Sequence, residues 1–510
     1  MGKTMKKPIT AVWEITMGCN MQCKHCGSSC TSALQGELST EEAIALCTEI
    51  GELGLEWITL SGGEPTSRND WYKIAKALNE NGVVPNMITN GWAFSEEDAR
   101  KAEEAGINTI AISIDGLQQS HDYIRKQGSF ERSMKSFEHL KHTSVHTAAI
   151  TTIHNKNIQE LHQMKEILID KGVERWQLQI GLPMGNMAHH KELVTPPQII
   201  NEIIDFAYEE TQKGGIIIDL ADCIGYFNAK ELIVREKNSG SLGYGWDGCG
   251  AGRYNLGILH NGDIIGCVSI RDKELIEGNI RNESLRSIWE REDAFSWNRQ
   301  LTKDKLKGHC KKCRYGAICK GGCTNSRLVH KGSIYEENQY CSYGMVMDQA
   351  EAVLRNVENP LELLGKAMKF LQNEKHQLAE TALSLYLEYE PNDIEAQKNY
   401  GYIQFMLENY EESKRCNEII LKANPKDVYA LKGLGLALAK MGQVETGIEH
   451  LKKAIEYTDH RFLDPYYDLA VILVENNYEE EAKALIKETT LKYEEFSIYQ
   501  QMFNEKLGVS

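Results

Sequence analysis

A chain of 510 residues, 42% of them hydrophobic, is long enough for roughly three domains. Its formal charge of -16, from 57 basic and 73 acidic residues, argues against an extended electrostatic footprint for nucleic acid. No run of about 18 apolar residues exists to span a bilayer, and Met1 to Pro8 lacks the apolar core of a signal peptide. Fourteen cysteines sit at metal-ligand spacings and not in a disulfide framework, which predicts a reducing cytoplasm.

In chain order, the apolar, β-branched segment Ile9 to Thr16 reads as a first strand. Cys19, Cys23 and Cys26 follow it in Cys-Asn-Met-Gln-Cys-Lys-His-Cys. Thiolates are soft ligands suited to iron-sulfur clusters, and a cubane cluster normally takes four, so a compact set of three implies one iron left open. The spacing alone also admits zinc. A second strand, Trp57 to Leu60, runs into Ser61-Gly62-Gly63-Glu64-Pro65. There two glycines permit close backbone approach to a ligand and Glu64 offers a carboxylate to an ammonium group. Apolar runs from Val83 and from Thr109 end in Thr89-Asn90-Gly91 and Ser113-Ile114-Asp115-Gly116, which puts small polar groups at strand termini.

Strand-like runs near 10, 57, 84, 109, 147 and 176 alternate with amphipathic helical stretches, two of which open with the capping pairs Ser39 with Glu42 and Ser95 with Asp98. Six strand-helix units imply a parallel sheet with its ligand at the carboxyl ends of the strands. The alternation stops near residue 185, short of the about 250 residues of an eight-unit barrel.

These segments resemble the radical S-adenosylmethionine (radical SAM) superfamily. The resemblance implies an α/β fold over 8–190, a partial (β/α)6 TIM-like barrel in which Cys19, Cys23 and Cys26 hold a 4Fe-4S cluster and S-adenosylmethionine chelates its fourth iron. Gly62, Gly63 and Glu64 would meet the methionine amine, Ser113 its carboxylate, and Asn90 and Asp115 the ribose side. Arg125, in His-Asp-Tyr-Ile-Arg, has two readings, a bidentate partner for a carboxylate or a surface ion pair. The implied chemistry is reductive cleavage of S-adenosylmethionine to a 5'-deoxyadenosyl radical that abstracts hydrogen, with electrons from a partner such as flavodoxin or ferredoxin. His25 reads as a spacer packing near the adenine, Met184-Gly185-Asn186 as a nucleoside neighbour or a plain turn, and Cys30, Cys47 and Cys416 as buried thiols.

A bridging region, 191–245, leads to a second cysteine group. Cys249 is followed by Gly262 and Cys267, then by Cys310, Cys313, Cys319 and Cys323, and finally by Cys341. The order C-x12-G-x4-C, gap, C-x2-C-x5-C-x3-C, gap, C resembles the seven-cysteine SPASM domain, here over 246–350, with Glu277 to Arg281 and Ser284 to Trp289 as its helix-bearing insert. A zinc ribbon is the alternative for the C-x2-C pair alone. The resemblance implies two auxiliary clusters, a distal one on Cys310, Cys313, Cys319 and Cys341 and a proximal one on Cys249, Cys267 and Cys323. The proximal set is one cysteine short, and Leu242 to Gly248 supplies none, so its fourth iron position is either open or reached by Cys223, the nearest cysteine upstream. Three readings stay open for Cys223: fourth ligand, hydrogen-atom donor, or buried thiol.

From 360 to 510 the pattern is helical. Pro391-Asn392-Asp393 recurs as Pro425-Lys426-Asp427, Tyr400-Gly401 as Leu434-Gly435, and Tyr410, Val444 and Tyr478 keep the interval, with Ser413, Gly447 and Ala482 at a small-residue position. This resembles tetratricopeptide (TPR) repeats, whose period is 34 residues, and implies an all-α solenoid with a concave face for a peptide or partner. Taken together, the resemblances imply a peptide-modifying, oxidoreductase-like maturase of a ribosomally made precursor, forming a crosslink, thioether or epimer. The repeats would replace the leader-gripping domain for which there is no room before the first strand. The runner-up is a maturase of a folded protein, similar to anaerobic sulfatase-maturing enzymes; from another class comes a non-catalytic, metal-stabilised scaffold.

Overall fold

The computed structural model of the chain describes residues 7–238, 246–459 and 461–507. Parts of Met1 to Pro8, of Leu242 to Gly248 and of the C-terminal end of the expected repeats lie outside the described residues. The chain divides into two units: residues up to 311 with 315–345, and 312–314 with those from 346 onward.

The six strands expected from the sequence are β1 (Thr10–Thr16), β2 (Trp57–Gly62), β3 (Val84–Thr89), β4 (Thr109–Ser113), β5 (His146–Ile153) and β6 (Arg175–Ile180). They pair in sequence order, all parallel. Period-two alternation gives each strand two faces. Trp13, Ile15, Leu60, Met87, Ile112, Trp176 and Leu178 are buried in the core shared with the helices. Glu14, Ile88, Thr152, Gln177 and Gln179 line one cavity on the other face, so the sheet curls around that cavity as a partial barrel. The helices begin where local chemistry favours it. Ser39 and Glu42 form a reciprocal capping box on Thr40–Leu53, and Ser95 and Asp98 do the same on Glu96–Glu104.

The alternation does not stop near 185. After the helix Ile200–Lys213 a seventh strand, β7 (Ile217–Leu220), joins β6 in parallel, inside the region read as a bridge. Four residues behind Gly214-Gly215 are too short a run to show period-two patterning. On the opposite edge, β8 (Asn255–Ile258) pairs parallel with β1 and turns back through β9 (Asp263–Ile265) and β10 (Ile276–Asn279), which are antiparallel. One sheet thus runs β10-β9-β8-β1-β2-β3-β4-β5-β6-β7 and ties the cysteine-rich domain to the barrel. Ser284 caps the short insert helix Leu285–Glu290.

The second unit is a succession of helices. Ile394–Met406 and Val428–Lys440 begin with Asp393 and Asp427 as N-caps, each accepting from the amide three residues on, which is what the recurring Pro-x-Asp segments encode. Tyr410–Ala423 and Val444–Tyr457 follow them at the same interval. Among the described residues no helix is long and apolar enough to cross a membrane.

Candidate active site

Parallel strands deliver their carboxyl ends to one side of the sheet, and the sequence motifs converge there on a cavity of about 510 Å³. Cys19, Cys23 and Cys26 line it together with Gly62, Gly63, Asn90, Ser113 and Arg125. The cysteine loop is held from several sides. Cys19 N donates to Thr31 O at 2.9 Å, Lys24 N to Ile124 O at 2.8 Å, and Cys26 N turns back to Cys23 O at 3.2 Å. The Met184-Gly185-Asn186 turn clamps this loop: Asn186 N donates to Cys26 O at 2.9 Å, and Asn186 Nδ2 to Cys23 O at 3.0 Å.

None of the fourteen cysteines is in a disulfide. No three His, Cys, Asp or Glu side chains among the described residues form a single-ion site; the triad lines a shared space instead. Burial pushes the Cys23 thiol up to about 12, whereas Cys26 is drawn down to about 5, chiefly by a hydrogen bond from the Cys30 thiol and then by the Cys30 and Ser28 amides, against the effect of its burial. Asn90 Nδ2 lies 3.8 Å from Cys19 Sγ and donates to Asn20 Oδ1 at 2.8 Å. Three soft donors around a cavity, with amide N–H groups directed at sulfur, fit a 4Fe-4S cluster.

The structure places several expected contacts elsewhere. Glu64 is 1% exposed, and its carboxylate accepts from Thr66 Oγ1 at 2.7 Å, Thr89 Oγ1 at 2.8 Å and Asn90 N at 2.7 Å. It braces β2 to β3; Gly62 and Gly63, not Glu64, line the cavity. Those glycines also serve packing, since a Cβ would meet Thr16 O at 2.1 Å at position 62 and Gly18 O at 2.2 Å at position 63. Asp115, expected at a ribose, is 1% exposed and holds Arg125 Nε at 2.6 Å, His25 Nε2 at 3.0 Å and Thr152 N at 2.7 Å. Burial alone would raise its carboxyl, but Arg125 and His25 overcome this and keep it well below the ordinary carboxylate range. The ion pair of Arg125 is therefore buried, not on the surface, and His25 is a polar partner more than a spacer. Cys47 and Cys416 are buried, as read. Cys30 is buried too, but against Cys26 and on the cavity, a role its isolated position in the sequence did not suggest.

The cysteine-rich domain faces the same cavity. Cys267 and Cys323 line it, and so does Cys223, three residues beyond β7. Cys249 is anchored through its carbonyl, which accepts from Asn298 Nδ2 at 2.8 Å. Arg271 reaches back to β1 and pairs with Glu14. Cys310, Cys313, Cys319 and Cys341 are buried, and Cys341 Sγ accepts from Gly344 N at 3.2 Å. Sequence reasoning missed Glu14, Gln177 and Gln179; polar residues two apart within otherwise apolar strands were the available signal.

Residues 13–168 match the radical SAM superfamily, and residues 249–314 match SPASM, an iron-sulfur cluster-binding domain. The AdoMet-dependent heme synthase of Methanosarcina barkeri is 29% identical over 66% of this chain and 97% of its own length. Mycofactocin maturase MftC of Mycolicibacterium smegmatis is 25% identical over 63% of this chain and 79% of its own. In fold, the solved structure of native anSMEcpe with bound AdoMet and the Cp18Cys peptide superposes with a TM-score of 0.53 at 18% identity, over 65% of this chain and 93% of that one. The chain is thus a radical SAM enzyme with a SPASM domain, using S-adenosylmethionine and 4Fe-4S clusters.

Proposed function

We propose that this enzyme matures a ribosomally made peptide, which the helical repeats of its second unit help to bind. The observation that carries the reading is the addition of helix pairs at a 34-residue interval, TPR-like in spacing and capping, to a radical SAM and SPASM core. The M. barkeri heme synthase is aligned over 97% of its own length but only 66% of this chain. Stacked helix pairs suit an extended polypeptide, and one relative, the PqqA peptide cyclase of Rhizobium meliloti, acts on a peptide by name.

In this reading Cys19, Cys23 and Cys26 hold the catalytic cluster, Gly62, Gly63, Asn90 and Ser113 form the wall against S-adenosylmethionine, and Arg125 faces it while braced by Asp115. When bound, cluster and S-adenosylmethionine supply a 5'-deoxyadenosyl radical. The chain's own part is position and electrostatics. Glu64 fixes the β2 and β3 termini, Asn186 fixes the cysteine loop, and the inward Thr152, Gln177 and Gln179 give a polar floor that can orient a substrate amide. Cys310, Cys313, Cys319 and Cys341 hold the distal auxiliary cluster, with Cys249, Cys267 and Cys323 on the proximal one.

The heme synthase relatives support a second reading, a tetrapyrrole substrate. One experiment separates the two. Anaerobically prepared full chain is given S-adenosylmethionine, reductant and either a short peptide encoded beside its gene or an iron porphyrin. Peptide that loses a pair of hydrogens, or gains a deuterium from solvent at unchanged composition, is expected. Turnover of porphyrin with inert peptide would overturn the proposal. The Cys19→Ala, Cys23→Ala, Cys26→Ala variant should form no 5'-deoxyadenosine with either.

A further inference from the structure

We propose that Cys223 is the fourth protein ligand of the proximal auxiliary cluster, completing the set of Cys249, Cys267 and Cys323. The proposal rests on the SPASM domain and not on the peptide reading. Its starting point is β7, the strand absent from the sequence reading. β7 ends at Leu220 on the side of the sheet where the motifs gather, and Cys223 follows in a tight turn, with Ile224 N donating to Ala221 O at 3.0 Å. Cys223 then lines the same cavity as Cys267 and Cys323.

The turn is built into the cysteine-rich domain. Tyr226 Oη donates to Asp222 O at 2.8 Å and accepts from Cys323 N at 2.9 Å, so one hydroxyl ties the residue before Cys223 to Cys323 itself. Ser342 N donates to Gly225 O at 2.7 Å, joining the turn to the residue after Cys341. Arg235 holds the turn from behind, donating to Leu220 O at 3.0 Å and Ile224 O at 2.7 Å. A thiol on so fixed a backbone meets the requirement for a preorganised ligand.

Cys223 is partly buried against the barrel core, and Cys323 packs with Tyr226 and Trp246, the tyrosine being the one that ties the two segments together. Ligation needs no redox partner: the Cys223 thiol gives its proton to solvent and an iron–Sγ bond forms.

The test uses the full chain carrying Cys19→Ala, Cys23→Ala and Cys26→Ala, so that only auxiliary clusters remain, about eight irons. Adding Cys223→Ala should remove about four of them, or leave a proximal EPR signal with altered g values, while the distal signal is unchanged. Exogenous small thiol should restore the parent spectrum. Where the alanine variant does not fold, Cys223→Ser serves, because an alkoxide ligand shifts the proximal EPR spectrum and potential. Parent-like iron content and spectra in a folded Cys223→Ala or Cys223→Ser chain would overturn the assignment, and Cys223 would then be a free thiol on the cavity. None of these readouts requires a peptide.

Discussion

Glu14 on β1 and Arg271 after β9 form a two-pronged ion pair between barrel and SPASM domain, with Arg271 Nη1 2.9 Å from Glu14 Oε2 and Nη2 2.5 Å from Oε1. The Glu14 side chain is 3% exposed and that of Arg271 32%. Both line the catalytic cavity, and Ser28, two residues after Cys26, hydrogen-bonds both of them. The pair therefore joins the first strand, the cysteine loop and the segment that follows Cys267. Removing Arg271 leaves the Glu14 carboxylate buried and uncompensated, which costs about 3 kcal/mol in such settings. Arg271→Ala is expected to lower the melting temperature and loosen the Cys267 segment in hydrogen exchange. Arg271→Lys should recover only part, since an ammonium cannot make both bonds. An unchanged melt in Arg271→Ala would show that the pair carries no net stability.

Gly185 is the second point of leverage on the cysteine loop. Its φ is +55°, and a Cβ there would meet both Cys26 O and Gly27 O at 2.4 Å. These are backbone atoms, so Gly185→Ala has no flexible neighbour to displace. The clamp that Asn186 makes on Cys23 and Cys26 must shift. The expected result is a loss of more than about 2 kcal/mol of stability and a selective loss of the catalytic cluster's iron. Full occupancy of all clusters in this variant would mean that the clamp is dispensable.

The parts of this molecule that were legible in the sequence are those whose signal is local. Apolar, β-branched runs announced β1 to β6, and Ser39 and Ser95 cap helices where their spacing said they would; the recurring Asp393 and Asp427 turn out to be caps as well. Cysteine spacing marked the candidate cluster loops most directly where the cysteines lie close along the chain, as Cys19, Cys23 and Cys26 do. Glu64 shows the limit: nothing in Gly-Gly-Glu-Pro tells whether a carboxylate faces a ligand or the residues Thr89 and Asn90 of the next strand. The same holds for Asp115, whose partners His25 and Arg125 come from two separate loops. β7 was too short to carry a period, and with it went the one backbone feature that explains where Cys223 sits.

Acid should destabilise the barrel through two buried histidines. Burial, with Arg125 adding to it, lowers His121 to about 3, and burial lowers His154 to about 4. Each ring accepts an amide at Nδ1, His121 from Asp115 at 3.1 Å and His154 from Lys156 at 3.0 Å, which a second ring proton would break. Because the folded-state values lie below the ordinary histidine value, the unfolded chain binds more protons under mildly acidic conditions. Stability is then complete above about pH 6.5 and falls as pH drops toward the folded values. Around pH 5.5 each histidine should cost about 1 kcal/mol. Melts of the wild type and His154→Gln across this range test it: the variant's melting temperature should fall less steeply. Parallel slopes would assign the acid sensitivity to other groups.

The last prediction concerns the helical unit, where one backbone device recurs. Glu374, Glu408, Gly442 and Asn477 each end the first helix of a pair in the left-handed region, with φ of +55°, +63°, +85° and +64°. Such a position favours glycine, tolerates asparagine, and costs other residues about 1 kcal/mol. At Gly442 a Cβ would meet nothing within 4 Å, so backbone conformation alone decides the outcome there. Gly442→Ala is therefore expected to destabilise by about 1 kcal/mol without any steric clash. The reverse change at the equivalent turn, Glu374→Gly, should stabilise by about 0.5 kcal/mol, the gain in the fold being partly offset by the greater freedom of glycine in the unfolded chain. Denaturant unfolding of the full-length variants, followed by helix content, gives both signs. Opposite signs at the two turns would establish that the 34-residue interval repeats a single backbone conformation. A stabilising Gly442→Ala would contradict the left-handed turn on which the repeat is built.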